Sequence, residues 1–134
     1  MSIQIFPNEE PHQFDAVLVI LSHQGQWVLV KDRERAWEFP GGGKEPGETY
    51  LDTANREAME EAGAILKNIK RLGYYILPRG LKTIVVTAEV EKFVTLSGNH
   101  ETEEVRLFTE LPAERSFQDG LYEELIRIFN LRPQ

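Results

Sequence analysis

WEFPGGGKEPGETYLDTANREAMEEAGA, residues 37–64, sets a glycine-rich segment directly ahead of a helix-forming one. Pro40-Gly41-Gly42-Gly43 is read as a turn, because proline and glycine interrupt strands and helices and bare main chain lets a ligand approach closely. Pro46-Gly47 marks a second break. Thr49 then has the chemistry of an N-cap, with Asp52 three residues on in the manner of a capping box. The helix is expected to run to about Ala62, where Gly63 supplies a left-handed stop. Leu51, Ala54, Ala58 and Ala62 recur at spacings of three and four and define the expected buried face. Glu57, Glu60 and Glu61 stand at i, i+3 and i+4 and share another face.

Like charges at those spacings cost a helix about 0.2–0.5 kcal/mol per pair. Pairs from Asp52 to Arg56 and from Arg56 to Glu60 are expected to offset part of that. Hard carboxylate oxygens beside a turn of exposed carbonyls suit Mg²⁺ or Mn²⁺. The plain alternative is a solvated acidic helix face. A solvated face, however, has no need of three glycines in front of it.

These residues resemble the signature of the Nudix hydrolases, the Nudix box. Its pattern is Gly, five residues, Glu, seven residues, then Arg-Glu-aliphatic-x-Glu-Glu-x-Gly-aliphatic. Here it reads Gly42, Glu48, then Arg56-Glu57-Ala58-Met59-Glu60-Glu61-Ala62-Gly63-Ala64. Every Gly, Glu and Arg of the pattern is present at its spacing. Ala58 and Ala64 are smaller than the aliphatic residues the pattern asks for. Gly43 stands where a lysine is common, and Lys44 follows it.

The resemblance implies an α/β fold, an α/β/α sandwich with a mixed central sheet, over a single domain spanning residues 1–134. It implies hydrolysis of a nucleoside diphosphate linked to another group. Glu57, Glu60 and Glu61 would hold Mg²⁺ or Mn²⁺, with a Gly41 or Gly42 carbonyl as a further ligand. Glu48 would support the site and Arg56 would orient the carboxylates through charge-assisted hydrogen bonds. The base that activates water would be Glu57 or one of the later Glu101, Glu103 and Glu104, of which three Glu104 is favoured to join the site. The physical chemistry agrees: a polyphosphate repels nucleophiles until cations neutralise it. Cations also let an acidic protein bind a polyanion.

The remaining sequence reads as alternating strands. Residues 1–12 form an irregular arm or edge, Phe14 to Leu21 a strand buried on both faces, and Ser22 to Gly25 a turn before the strand Gln26 to Val30. Lys31 to Arg35 is a charged loop, and Trp37 to Phe39 a short strand into the glycines. Ile69 to Leu77 and Leu81 to Phe93 form a hairpin around Pro78-Arg79-Gly80. Tyr74, Tyr75, Arg79 and Lys82 surround that hairpin, and with Lys44 they are candidates to stack a base and hold phosphate. The bland reading packs the tyrosines and leaves the cations in water. Ser97 to Glu104 is an acidic loop before the strand Val105 to Thr109. Leu121, Leu125, Ile128 and Phe129 give the spacing of a closing helix.

The 134 residues are 41% hydrophobic and 28% charged, enough for one core, and carry a net charge of −7. That charge argues against a nucleic-acid-coating surface and against anionic membrane. There is no cysteine, which excludes disulfide and thiol chemistry and is compatible with a reducing cytosol; a cytoplasmic location is expected. No signal peptide or apolar run of membrane length is seen. Among substrates the family resemblance, with WEFPGG entering the box in a short chain as in the MutT-like branch, implies a nucleoside triphosphate, ordinary or oxidised as in 8-oxo-dGTP. ADP-ribose, dinucleoside polyphosphates, the 5′-triphosphate end of RNA and a non-catalytic nucleotide-binding module stand as alternatives. The oligomeric state has no mark in the sequence.

Overall fold

Val17 to Leu21 lie inside the strongest apolar run of the chain, and all five side chains are buried. They belong to strand β2, Ala16–His23, which the computed structural model places centrally. The structure describes residues 3–32, 36–94, 102–114 and 120–134. Along one edge β2 pairs in parallel with β7 (Lys82–Phe93), from Ala16 opposite Thr83 to Ser22 opposite Glu89. β7 continues antiparallel to β6 (Ala64–Ile76), and β6 to the edge strand β1 (Gln4–Pro7). The sheet is therefore mixed. Period-two alternation sends Val17, Val19 and Leu21 to one face and Leu18 and Ile20 to the other.

Each face carries a helix. α1 (Tyr50–Ala62) packs Ala54 and Ala62 on the Val17 face, and α2 (Leu121–Phe129) packs Leu121, Tyr122 and Leu125 on the Leu18 face. This is the expected α/β/α sandwich. Small alanines let α1 lie close to the sheet, while α2 is met by Trp27, Trp37 and Phe39. The Phe39 ring sits edge-on to Trp27 and to Tyr122, and the Phe39 N–H donates to the Tyr122 hydroxyl at 3.1 Å.

The second edge of β2 is shared. Its end pairs with β3 (Gln26–Asp32), and its beginning pairs with β5 (Gly41–Gly43), Leu18 opposite Gly41 and Ala16 opposite Gly43. β3 in turn pairs with β4 (Trp37–Glu38) and β8 (Thr102–Phe108). The glycine segment is thus a strand and not the expected turn. None of its three glycines takes a positive φ, so their missing side chains serve proximity and not backbone freedom.

Other boundaries shift by small amounts. Phe14 lies outside β2, Lys31 and Asp32 belong to β3, and β6 begins at Ala64, directly after the helix stop. Part of the expected N-terminal arm is β1. The rest of the charged segment (33–35), the loop 97–101 and residues 117–119 ahead of α2 lie outside the described residues. Among the described residues, no helix is long and apolar enough to cross a membrane.

Candidate active site

α1 begins as the sequence indicates. Asp52 N–H donates to Thr49 Oγ1 at 3.2 Å, Thr49 N–H donates to Asp52 Oδ2 at 3.0 Å, and Gly63 closes the helix at φ 61°. Asp52 therefore serves the cap. The expected ion pair with Arg56 is replaced by a denser arrangement. Arg56 Nε donates to Glu48 Oε2 at 2.8 Å, and Nη2 donates to Glu48 Oε1 at 3.0 Å and to the Gly43 carbonyl at 2.8 Å. Nη1 donates to Glu57 Oε1 at 2.9 Å and to Glu60 Oε1 at 3.2 Å. All five guanidinium N–H bonds are used.

Glu48 collects the other half of this clamp. Besides Arg56, its Oε1 accepts from the Glu45 N–H at 2.8 Å and the Thr53 hydroxyl at 2.9 Å. The guanidinium, then the Glu45 amide, hold the Glu48 carboxyl at about 2. The Arg56 pKa is raised correspondingly, chiefly by Glu48.

Glu57 is buried, and burial pushes its pKa up despite the pull of Arg56. Its carboxylate lies flat against β5: a Cβ built on Gly42 would stand 2.6 Å from the carboxylate carbon. Glu61 reaches the same strand one residue earlier, where the Gly41 N–H donates to its Oε1 at 2.8 Å. The glycine strand is thus the surface on which two helix carboxylates rest.

Among the described residues no three His, Cys, Asp or Glu side chains converge into a metal cage. Arg56 and the Gly41 amide each draw carboxylate oxygens toward themselves. The charge balance nevertheless suits a cation. One guanidinium faces Glu45, Glu48, Glu57 and Glu60 within 3.6 Å, so negative charge is in excess. These are hard oxygen donors, the kind of group that binds divalent cations. The Gly43 carbonyl accepts from Arg56 Nη2 at 2.8 Å.

Across β5 from these carboxylates lies a cavity of about 280 Å³ walled by Gly41 and Gly42. Phe39, Tyr75, Leu77 and Leu81 supply apolar surface, and Glu38 and Thr83 supply polar groups. Of the five substrate-contact candidates, only Tyr75 lines it, and it is buried. Lys44 lies over the Phe14 ring at 5.3 Å, Lys82 gives its N–H to Asp15 Oδ2 at 2.9 Å, and Arg79 is exposed at the hairpin tip.

Glu104 is not brought to the box. Strand alternation puts it with Arg106, its ion-pair partner, and Arg106 lies over Trp37 on the α2 face. Glu101 and the side chain of Glu103 fall outside the described residues. Glu38 and Thr53 went unread in the sequence. Both are buried polar residues, and the signal for Glu38 was a carboxylate set between two aromatic residues that must pack.

Comparison with known proteins agrees with this architecture. A model of the NUDIX domain matches residues 11–125. The Bacillus subtilis protein named "Putative 8-oxo-dGTP diphosphatase YtkD" is 40% identical over 99 residues, 72% of this chain and 63% of that protein. An RNA pyrophosphohydrolase of Serratia proteamaculans is 38% identical over 56 residues, 41% of this chain and 32% of its own length. The chain thus spans less than two thirds of these curated relatives. A crystal structure of the Bacillus subtilis pyrophosphohydrolase BsRppH superposes with a TM-score of 0.82 at 30% identity, covering 96% of this chain and 90% of that one. With the fold, the box residues and a family match over most of its length in agreement, the chain belongs to the NUDIX domain family.

Proposed function

We propose that the chain is a divalent-metal-dependent pyrophosphohydrolase that converts a nucleoside triphosphate, ordinary or oxidised, to the monophosphate and pyrophosphate. One observation carries this reading: the β5 glycines separate a carboxylate cluster, clamped by Arg56, from an apolar cavity with a few polar groups. Such a cavity suits a nucleoside, and the cluster beside it suits the polyphosphate end. Members of this family use divalent metal ions, and we take Mg²⁺ as the working ion with Mn²⁺ as substitute.

In the proposed reaction the oxygen of water bonds to phosphorus, the bond to the bridging oxygen breaks, and pyrophosphate leaves with that electron pair. The water proton passes to a carboxylate, for which Glu57 is our choice because it is the buried glutamate of the box and lies against the β5 glycines. Glu57, Glu60 and Glu61 would hold the cation, which when bound neutralises phosphate charge and stabilises the leaving group. Arg56 keeps Glu57 and Glu60 oriented, and Glu48 keeps Arg56 oriented.

The test is release of pyrophosphate and phosphate from a panel of substrates, with Mg²⁺, Mn²⁺ or EDTA. The panel holds the ordinary dNTPs, 8-oxo-dGTP, ADP-ribose, diadenosine polyphosphates and 5′-triphosphorylated RNA. Turnover of a triphosphate, abolished by EDTA, is expected. Silence across the panel from folded protein would replace the enzyme with a nucleotide-binding module. A second reading, action on RNA 5′ ends, is favoured by the likeness to the Serratia RNA pyrophosphohydrolase. It wins if the RNA is cleaved and free nucleotides are not.

A further inference from the structure

We infer that Thr53 is a positioning residue for the carboxylate cluster, acting through Glu48 and Arg56. Thr53 is fully buried on α1, one turn ahead of Glu57. Its hydroxyl has two acceptors in reach, Glu48 Oε1 at 2.9 Å and the Thr49 carbonyl at 3.2 Å. Its single proton goes to the nearer and charged one.

The geometry explains why this bond matters. Glu48 stands before the helix, so nothing in the helix backbone fixes the rotation of its carboxylate. Arg56 binds it through two parallel N–H groups, an arrangement that works only when both carboxylate oxygens lie in the guanidinium plane. Thr53 and the Glu45 N–H both donate to Oε1, which marks that oxygen and sets the plane. With Glu48 fixed, the Arg56 fork is fixed, and its Nη1 holds Glu57 and Glu60 at 2.9 and 3.2 Å. Thr53 thus orients two carboxylates that it does not touch.

The kinetic consequence rests on the proposed hydrolase reading; the positional one does not. Thr53→Val keeps the shape and removes the donor, while Thr53→Ser keeps the donor. With a cleaved panel substrate, Thr53→Val is expected to lower kcat about tenfold, the scale of one hydrogen bond to a charged group. KM stays within about twofold and Thr53→Ser restores kcat, as expected for an interaction that acts on the reaction and not on binding. Independently, NMR of the metal-free protein reads solvent exchange of the Arg56 Nε proton. That exchange accelerates in Thr53→Val and returns in Thr53→Ser. Unchanged exchange and kcat in Thr53→Val would overturn the inference, as would equal losses in both variants, which indicate packing alone. If the wild type cleaves nothing, the hydrolase reading falls and the exchange measurement decides the positioning role alone.

Discussion

Arg56 spends all five of its donors on four different acceptors, and no lysine can reproduce that. Arg56→Lys is expected to lower activity about 10- to 100-fold, the range seen when groups that orient metal-binding side chains are removed; pyrophosphate release measures it. Glu48 makes a second prediction. Its pKa of about 2 lies below the ordinary 4.5, so its pairing stabilises the fold fully above pH 4.5. That contribution fades as pH falls toward 2. Chemical denaturation in EDTA should show the loss between those values, and Glu48→Gln should flatten the profile there. The three glycines of β5 make a third. A Cβ on Gly41 meets the Val17 carbonyl at 2.5 Å, on Gly42 it meets the Glu57 carboxylate at 2.6 Å, and on Gly43 the nearest atom is 3.9 Å away. Backbone cannot step aside, whereas the end of a glutamate can. Gly41→Ala should therefore cost about 1–3 kcal/mol in a denaturation curve. Gly42→Ala should keep most of its stability but lose about 10- to 100-fold in activity as Glu57 moves. Gly43→Ala should change little of either.

At the scale of elements, α1 was legible because its signals are local. Capping box, helix stop and alanine face all lie within fifteen residues and need no partner to be read. Leu51, by contrast, is 42% exposed although its spacing fits the buried face, because it lies on the first turn, beyond the packed alanines. The glycine segment was read as a turn since glycine and proline break isolated elements. It is a strand because β2 offers it an open edge, a non-local fact. The same limit governed the site. The Arg56–Glu60 contact follows from helix spacing, but the Glu48 fork and the rest of the guanidinium's partners do not. The Glu57–Gly42 contact requires the fold. Tyr122 was missed for a similar reason: on sequence it is one aromatic in a helix, and only packing brings its hydroxyl to the Phe39 N–H across 83 residues. Tyr122→Phe leaves that buried amide short of its acceptor and is expected to cost about 1–3 kcal/mol, measured by urea denaturation.

For the molecule as a whole, the sheet does more than support two helices. By giving one edge of β2 to two strands in succession, it brings the start of a hydrophobic core strand alongside bare glycine backbone. The α1 face then holds the charge and the opposite side holds the cavity. Net acidity and the absence of cysteine bounded this molecule only loosely; the box residues and strand order carry the proposed site. The partition at β5 is three residues long and one strand thick. The backbone of Gly41 and Gly42 lines the cavity on one side and meets Glu57 and Glu61 on the other. If the proposed nucleotide and metal ion bind on its two sides, their binding is expected to be coupled, and such coupling is reciprocal: by whatever factor a nucleoside monophosphate tightens Mn²⁺ binding, Mn²⁺ must tighten the monophosphate. Two calorimetric titrations, each run with and without the other ligand, would measure that factor from both directions, and Gly42→Ala should reduce it toward one.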